Sequence, residues 1–432
     1  KLEDVPTILD ELAEVQMHAI QTSGNCIRNI TSDPYAGVAK DEIEDPRPYC
    51  EILRQWSTFH PEFTYLPRKF KIAVSAAKND RAAVKLHDIG LYLVKNDAGV
   101  VGFRVEVGGG QGRMPHISQT LCHWLPKSDI LSYLEATIRV YNQHGRRDNM
   151  HRARIKILVK AMGIDAFREK VEAEWEHIKD GGLVLTQEEI DRVTKQFTMP
   201  AYDADAAKDA SFSHAIADDK AFANWVQYNT DPHKQPGYRA VYLSLKAPSI
   251  APGDITDAQL DAVADLGDKY NFGEVQTTYD QNMMLVNVAQ GDLYQLWQEL
   301  TDQGLATANI GLLTDMICCP GLDFCSLANA GSIGIADQIN KKFDDIDYLH
   351  DLGEIRLKMS GCMNACGHHH VGHIGILGVD KKGEEWYQIT IGGDATENAR
   401  LGDRIGRAIA KEDVADTLGK LLGITCNRPD KA

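Results

Sequence analysis

Two cysteine pairs constrain this chain more than any other feature. Cys319 and Cys325 form a C-x5-C pair, and Cys362 and Cys366 form a C-x3-C pair. Four thiolates in two close pairs suit one compact centre of a thiophilic metal, such as zinc or an iron–sulfur cluster. A five-residue gap is wide for a zinc knuckle but suits a [4Fe–4S] cluster, which spreads its ligands over a larger object. The spacing therefore favours iron–sulfur, with zinc as the alternative.

Cys318 beside Cys319 leaves the register of the first pair ambiguous. We assign Cys319 as the ligand because Pro320 and Gly321 follow it directly, and glycine permits a close approach of the backbone. Nine cysteines in 432 residues do not make a disulfide scaffold, so the pairs indicate metal binding in a reducing compartment. The surplus cysteines are expected to be ordinary thiols: Cys26, Cys50, Cys122, Cys318 and Cys426.

The overall charge excludes one large class of function. A net charge of −16 lacks the basic footprint of a general nucleic-acid binder, so no nucleic-acid partner is expected. No run of about 18 apolar residues predicts a membrane span. We therefore expect a cytoplasmic protein without a membrane partner. Because Lys1 is not an initiator and the chain opens on a helix, we also expect an N-terminally truncated sequence.

Basic residues are concentrated near the N-terminal end of this acidic sequence. Residues 70–74 alternate as a strand that places Lys69 and Lys71 on one face, with Arg68 beside them. This face is either solvated or an anion site, since ammonium and guanidinium groups bind oxyanions by charge-assisted hydrogen bonds. Arg28 lies in residues 18–31, which we interpret as a loop, where an arginine is ordinarily solvated.

The motifs around these residues resemble a known family. Cys-Pro-Gly-x-x-x-Cys at residues 319–325 and Ser-Gly-Cys-x-Asn-x-Cys-Gly at residues 360–367 are similar to the signature of the sirohaem-dependent nitrite and sulfite reductases. Gly-Asn-x-x-Arg-Asn at residues 24–29 and Leu-Pro-Arg-Lys-Phe-Lys at residues 66–71 also match that family. The resemblance covers nearly the whole chain.

The resemblance implies a cofactor set and a role for each motif. Cys319, Cys325, Cys362 and Cys366 would hold a [4Fe–4S] cluster, and Cys366 would also bridge to the sirohaem iron. Arg28, Lys69 and Lys71 would be catalytic and face the substrate anion, and Arg28 and Arg68 would also bind the sirohaem.

Three other segments have possible roles that fewer residues support. The glycine-rich loop 108–113 would let the backbone pass close to the tetrapyrrole, with Arg113, and also His116, reaching its carboxylates. His368–His370 would be structural or supply protons. A basic segment is interpreted as a solvated helix face, with docking of an acidic donor as the alternative: Arg146, Arg147, Arg152, Arg154, Lys156 and Lys160.

The chain also contains an internal repeat. Residues 69–72 align with 356–359, residues 88–94 with 373–379, and residues 103–109 with 387–393. The helix at residues 5–15 aligns with the one at residues 293–300. The cysteine pairs lie in the second unit only and the cations in the first only, so a shared site between two pseudo-symmetric units would bring metal and cations together.

These observations predict an α+β fold of two pseudo-symmetric repeats, each a ferredoxin-like half-domain plus a nitrite/sulfite reductase domain. The predicted limits are a remnant of the first half-domain (1–20), the first reductase repeat (21–178), a linker with one short helix (179–236), the second half-domain (237–306) and the second reductase repeat (307–426). A capping box at Thr256 and Gln259 is expected to open a helix of that half-domain.

The expected function is the six-electron reduction of sulfite to sulfide. Nitrite reduction to ammonia by the same site is the alternative, and a non-catalytic iron–sulfur electron carrier is the alternative from another class. The electron donor is expected to be a ferredoxin or a flavoprotein reductase, and the sequence alone does not distinguish the two.

Overall fold

The computed structural model describes residues 1–426. Its α-helices are α1 (Val5–Glu14), α2 (Arg47–Ser57), α3 (Ile130–His144), α4 (Ile155–Met162), α5 (Ile164–Glu176), α6 (Gln187–Thr194), α7 (Ser211–Asp218), α8 (Lys220–Asn229), α9 (Asp257–Tyr270), α10 (Leu293–Asp302), α11 (Ile333–Lys342), α12 (Ile346–Leu352) and α13 (Val414–Cys426). Its strands are β1 (Ile27–Ser32), β2 (Phe70–Ser75), β3 (Ile89–Lys95), β4 (Val101–Val107), β5 (Gln119–Pro126), β6 (Thr230–Pro232), β7 (Tyr238–Leu243), β8 (Gln276–Thr277), β9 (Met283–Ala289), β10 (Ile317–Cys318), β11 (Leu357–Ser360), β12 (Ile374–Lys381), β13 (Glu384–Ile391), β14 (Asp403–Arg404) and β15 (Ile409–Ala410).

Three sheets organise these elements. The first has the order β1-β2-β3-β4-β5, the second has the order β10-β11-β12-β13-β14 with β15 also on β13, and the third has the order β6-β7-β9-β8. In the first two sheets, the leading three strands are parallel and the following strands are antiparallel. The shared order and direction of the strands confirm the internal repeat.

Strand register corrects one block of the predicted repeat alignment. Ile72 pairs with Ile89 in the first sheet, and Leu357 pairs with Ile374 in the second. Ile89 and Ile374 are equivalent in the alignment, so Ile72 corresponds to Leu357. Arg356 is therefore the counterpart of Lys71, two residues away from the predicted match with Lys69. The error arose because both strands carry cations at alternate positions, so a shift of two residues preserves the pattern.

Alternation along β2 explains why its cations remain available. Phe70, Ile72 and Val74 are fully buried in the core of the first repeat, which α3 covers. Successive side chains of a strand point to opposite faces, so Lys69 and Lys71 lie on the face away from that core. The strand thus places both lysines on the side that meets the second repeat.

Some segments are more ordered than the sequence indicates. Residues 18–31 were predicted as a loop, but β1 begins at Ile27 and pairs with β2. Residues 179–236, predicted as a linker with one short helix, contain α6, α7 and α8 and end in the third sheet. Trp225 and Phe222 of α8 are fully buried against that sheet. The domain limits themselves stay predictions.

No helix among the described residues is long and apolar enough to cross a membrane.

The capping box of α9 offers a test of local stability. The Thr256 hydroxyl accepts a hydrogen bond from the Gln259 backbone N–H, and the Gln259 side chain accepts one from the Thr256 N–H. We expect Thr256→Ala to lower the free energy of unfolding by about 1 kcal/mol, because it leaves an N-terminal N–H without its acceptor. Asp261→Ala, an exposed change in the same helix, is the control. Equal urea midpoints for the two variants would contradict this expectation.

Candidate functional site

Two neighbouring parallel strands deliver the cysteine pairs. Cys319 follows the last residue of β10, and Cys362 follows β11 by two residues. Carboxyl ends of parallel neighbours meet at the same sheet edge, so the two cysteine loops start side by side. The Cys319 N–H donates to the Met359 carbonyl at 3.1 Å and ties the first loop to β11.

Glycines let these loops touch. A Cβ atom on Gly361 would lie 2.5 Å from the Cα of Gly321, and one on Gly321 would lie 2.3 Å from the Ala330 carbonyl oxygen. Gly321 also has φ +65°, a conformation that L side chains rarely adopt. In this structure, the close approach that glycine allows is between the two loops themselves.

Two of the four predicted ligands, Cys319 and Cys366, share a hydrogen bond, and a third, Cys362, acts on Cys366 by its charge. A hydrogen bond between the thiols of Cys366 and Cys319 lowers the pKa of Cys319 to about 5. The pKa of Cys366 is raised first by this bond, then by burial and by the charges of Cys319 and Cys362, while Lys69 opposes the rise. Cys325 is half-buried in the first loop, where its N–H donates to Gly321 at 2.8 Å.

Cys318 occupies a different environment from Cys319. Its side chain is buried in the core of the second repeat, and burial raises its pKa to about 12. A thiolate is the form that ligates a metal, so burial disfavours Cys318 as a ligand. This difference supports the choice of Cys319.

The thiols do not form a site for a single metal ion. Within residues 1–426, no group of three or more His, Cys, Asp or Glu side chains is placed to hold one ion. A [4Fe–4S] cluster binds its four thiolates on separate iron atoms, so its ligands stand farther apart than those of a zinc ion.

The cationic residues lie at the amino ends of β1 and β2. Arg28 is the second residue of β1, and its Nε donates to the Gly24 carbonyl at 3.0 Å. Lys69 immediately precedes β2 and Lys71 lies within it. Burial lowers the pKa of both lysines; the next cause is the Lys71 charge for Lys69 and the Arg154 charge for Lys71. Arg68 and Arg28 also act on Lys69, so the four cations form one cluster.

Arg154 and Lys156 were interpreted wrongly as part of a solvated helix face. Arg154 makes hydrogen bonds of 2.7–2.9 Å to the carboxylate of Asp88, which is fully buried. Asp88 also accepts the backbone N–H of Lys71 at 2.9 Å. Lys156 is buried and donates to the Gln111 carbonyl at 2.5 Å, and burial lowers its pKa to about 8. No periodicity in the sequence indicates that Asp88, Arg154 and Lys156 are buried and bonded in this way.

The glycine-rich loop joins the first repeat to the cysteine loop of the second. Nε2 of His370 donates to the Gly112 carbonyl at 3.0 Å, and a Cβ atom on Gly112 would lie 3.9 Å from the Met363 carbonyl oxygen. Ala83 and Leu86 pack against Val371 close by. Arg113 is exposed in this loop, and its contact with a cofactor stays a prediction.

Family models match most of the chain. The model described as the nitrite and sulphite reductase 4Fe-4S domain matches residues 23–179 and 312–424, and the nitrite/sulfite reductase ferredoxin-like half domain matches residues 231–303. This chain belongs to the nitrite and sulfite reductase family. The family resemblance and the α+β fold with a ferredoxin-like half-domain are confirmed.

Relatives in this family carry two kinds of name. Sulfite reductase (ferredoxin) 1 of Mycolicibacterium paratuberculosis is 26% identical, covering 98% of this chain and 70% of the relative. The chloroplastic ferredoxin–nitrite reductase of Arabidopsis thaliana is 27% identical, covering 98% of this chain and 67% of the relative. The solved structure of the Mycobacterium tuberculosis NirA protein has the same fold, with a TM-score of 0.79 at 23% identity, and covers 100% of this chain and 73% of that one.

Membership of the family confirms the expected cofactors, a [4Fe–4S] cluster and a sirohaem. The residues between the repeats fit both groups. Thiols suit the cluster, and a concentrated set of cations suits a tetrapyrrole that carries carboxylates. Buried polar atoms without partners occur on the glycine-rich loop and next to the second cysteine pair: both amide atoms of Gln111, Nε2 of His116 and Nδ1 of His368. Buried polar atoms are normally hydrogen-bonded, so these atoms are consistent with a large polar group between the repeats.

Cys318 and Cys319 form a natural pair for testing the register of the ligands. We expect Cys319→Ser to lose most of the cluster iron and labile sulfide, because a serine hydroxyl does not replace a thiolate ligand. Cys318→Ser, the matched control, should retain both, as measured by iron analysis and by electron paramagnetic resonance of the reduced protein. Loss in the control alone would move the ligand to Cys318.

The Asp88–Arg154 pair predicts a large difference between two arginines of one segment. Arg154→Leu should destabilise the protein by about 3–5 kcal/mol, because it leaves a buried carboxylate without its charged partner. Arg146→Leu breaks an exposed pair with Asp148 and should leave the unfolding midpoint unchanged. Chemical unfolding followed by circular dichroism measures both. Similar midpoints for the two variants would show that the buried pair does not stabilise the fold.

Proposed function

We propose that this protein reduces sulfite to sulfide. The reaction adds six electrons and seven protons to the sulfite dianion and releases hydrosulfide and three water molecules. The observation that carries the proposal is electrostatic: Lys69 and Lys71 of the first repeat act on the Cys366 thiol of the second. This interaction supports the proposal that the side chains binding the anion and the predicted metal ligands belong to one site.

Four cysteines are proposed to hold the cluster: Cys319, Cys325, Cys362 and Cys366. Cys366 interacts electrostatically with both Lys69 and Lys71, which agrees with its proposed role as the bridge to the sirohaem. When bound, the coupled cofactors supply the electron transfer, and the protein supplies position and charge.

Arg28, Lys69 and Lys71 are proposed to bind the substrate anion. Their cluster concentrates positive charge in a protein of net charge −16. Sulfite carries up to two negative charges near neutral pH and nitrite carries one, so a group of cations favours sulfite more strongly. Fixed cations also stabilise negative charge that develops on oxygen as each S–O bond breaks.

The same lysines are proposed to donate protons. Burial and neighbouring cations lower the pKa of Lys69 and of Lys71, which makes each ammonium a stronger acid than an exposed lysine. Asp88 holds the backbone of Lys71 and pairs with Arg154, so it fixes the strand without neutralising the lysine. Each proton would leave Nζ of a lysine, directly or through water, and return from solvent.

Nitrite reduction to ammonia is the second candidate function. It would use six electrons and seven protons for each nitrite, releasing one ammonia and two water molecules, at the same residues. The names of the relatives support nitrite reduction as well as they support sulfite reduction, because both kinds of name occur at similar sequence identity.

The electron donor is proposed to be a ferredoxin, since both relatives are named for one, with a flavoprotein reductase as the alternative. A cytoplasmic location is proposed from the reducing conditions that free thiols require.

Turnover of the cofactor-loaded protein tests the proposal. With a chemically reduced donor, we expect a larger kcat/KM for sulfite than for nitrite. Lys71→Met should lower kcat/KM for sulfite by about 10²–10⁴, because it removes a charge and a proton donor from the transition state. Lys78→Met, an exposed lysine beyond the end of β2, is the matched control.

Other outcomes assign other functions. A larger kcat/KM for nitrite would reverse the order of the two substrates. A protein that binds a cluster but lacks the Soret and red absorption bands of sirohaem would be an electron carrier instead.

A further inference from the structure

A cavity separate from the candidate site, which we call the second cavity, lies beside strands β10 and β11. It is on the face of these strands opposite to the core of the second repeat. It has a volume of about 320 Å³ and is bounded by the second repeat, the ferredoxin-like half-domain and the first repeat. Lys358 of β11 and Arg356, the residue before that strand, line the cavity on one side, and Tyr279 and Asp280 line it from the half-domain. None of these four residues has a place in the proposed reduction.

Lys358 is the unusual wall residue. It is 1% exposed, and its Nζ has no hydrogen-bond partner. The ammonium lies 5.0 Å from the centre of the Tyr279 ring, a cation–π contact that offsets only part of the loss of water. Burying an ammonium without a hydrogen-bond acceptor costs free energy, so an anionic or acceptor group bound in the cavity would stabilise Lys358.

Most other charges on the wall already have partners. Arg356 pairs with Glu354 at 2.7 Å, and Asp315 pairs with Lys246 at 3.1 Å. The Asp231 carboxylate accepts the Tyr35 hydroxyl at 2.5 Å. Arg81, the remaining cation, binds two carboxylates outside the cavity, Asp33 and Asp41.

Asp280 is the charge that remains opposite Lys358. The two residues influence each other electrostatically, but no ion pair in the described part of the chain includes either of them. Burial raises the pKa of Asp280 and lowers that of Lys358, so both charges are held unfavourably when alone. A gap between opposite charges suits a ligand that carries both charges at a short spacing.

We propose that this cavity binds a small zwitterion of the α-amino acid class. Its carboxylate would accept from Lys358 Nζ, and its ammonium would donate to the Asp280 carboxylate. The phenol rings of Tyr279 and Tyr242 line the same space and would contact a short side chain. A simple oxyanion fits less well, because it would match Lys358 but face Asp280 with the same sign of charge.

Calorimetric titration of the cofactor-loaded protein tests this site. Alanine and serine are the probes, and propionate and ethylamine present each half of the zwitterion alone. We expect both amino acids to bind and each half to bind at least about tenfold more weakly, since each loses one charge contact. Sulfite should not displace alanine, whereas displacement would place the binding in the substrate site and overturn the proposal.

Variants assign the binding to the two charges. Lys358→Met and Asp280→Asn should each weaken alanine binding by about tenfold or more. Lys341→Met, which changes an exposed lysine of α11 paired with Asp337, should leave it unchanged. If Lys358→Met does not fold, Asp280→Asn and the ethylamine arm still decide. Absence of heat with both amino acids, or equal binding by Asp280→Asn and the native protein, would overturn the proposal.

Discussion

The attraction between cations of one repeat and a thiol of the other is the interaction on which this site depends. Lys69 and Lys71 lie at the amino end of their sheet, whereas Cys319 and Cys362 follow the carboxyl ends of theirs. The amino end of one sheet therefore lies close to the carboxyl ends of strands in the other, an arrangement that a pseudo-two-fold axis between the repeats would produce. The bond from His370 to the Gly112 carbonyl and the apolar contact of Leu86 with Val371 hold this arrangement. Duplication therefore supplies more than stability, because neither repeat alone contains both the cysteine pairs and the cationic cluster of the candidate site.

The two repeats carry different residues, Asp88 and His373, at one equivalent position, and this difference changes the charges nearby. Asp88 and His373 occupy the same place before their strands, and each accepts a backbone N–H, from Lys71 in one repeat and from Arg356 in the other. The backbone is thus held in the same way twice. Asp88 adds a buried charge that anchors Arg154, which raises the density of cations around Lys71. His373 recruits no such arginine, and Arg356 pairs with Glu354 instead. The carboxylate of Asp88 thus adds Arg154 to the cations around Lys71, an addition that its counterpart in the second repeat does not make among the described residues.

Local patterns predicted the strands, the repeat and the residues with a motif, but not the contacts that depend on burial. Alternation identified β2, β3 and β4 because one face of each is buried, and the close pairs identified the cysteines. Arg154 and Lys156 were misjudged because a charged residue looks the same in sequence whether it meets solvent or a buried carboxylate. The two-residue error around Arg356 has a related cause, since a period of two permits that shift and only the register of neighbouring strands excludes it. Within 179–236 the sequence predicted only the short helix that corresponds to α8. It missed α6 and α7, which are stabilised by packing on the core of the first repeat and on the third sheet, respectively.

The second cavity and the cysteine loops share the same two strands, which links them mechanically. Ile317 of β10 and Lys358 of β11 line the cavity and form a strand pair, and the next residues of these strands lead to Cys319 and Cys362. Gln281 strengthens the link, because its side chain accepts the Cys318 N–H at 2.8 Å and donates to the Cys318 carbonyl at 3.1 Å. Gln281 follows Asp280 directly, so a ligand held by Asp280 and Lys358 would bridge the two segments that position the first cysteine loop. Packed strands transmit small shifts because their interior has little free volume. Occupancy of the cavity would therefore be felt first at Cys319, which directly follows Cys318, the residue that both Gln281 and the β10–β11 pairing hold.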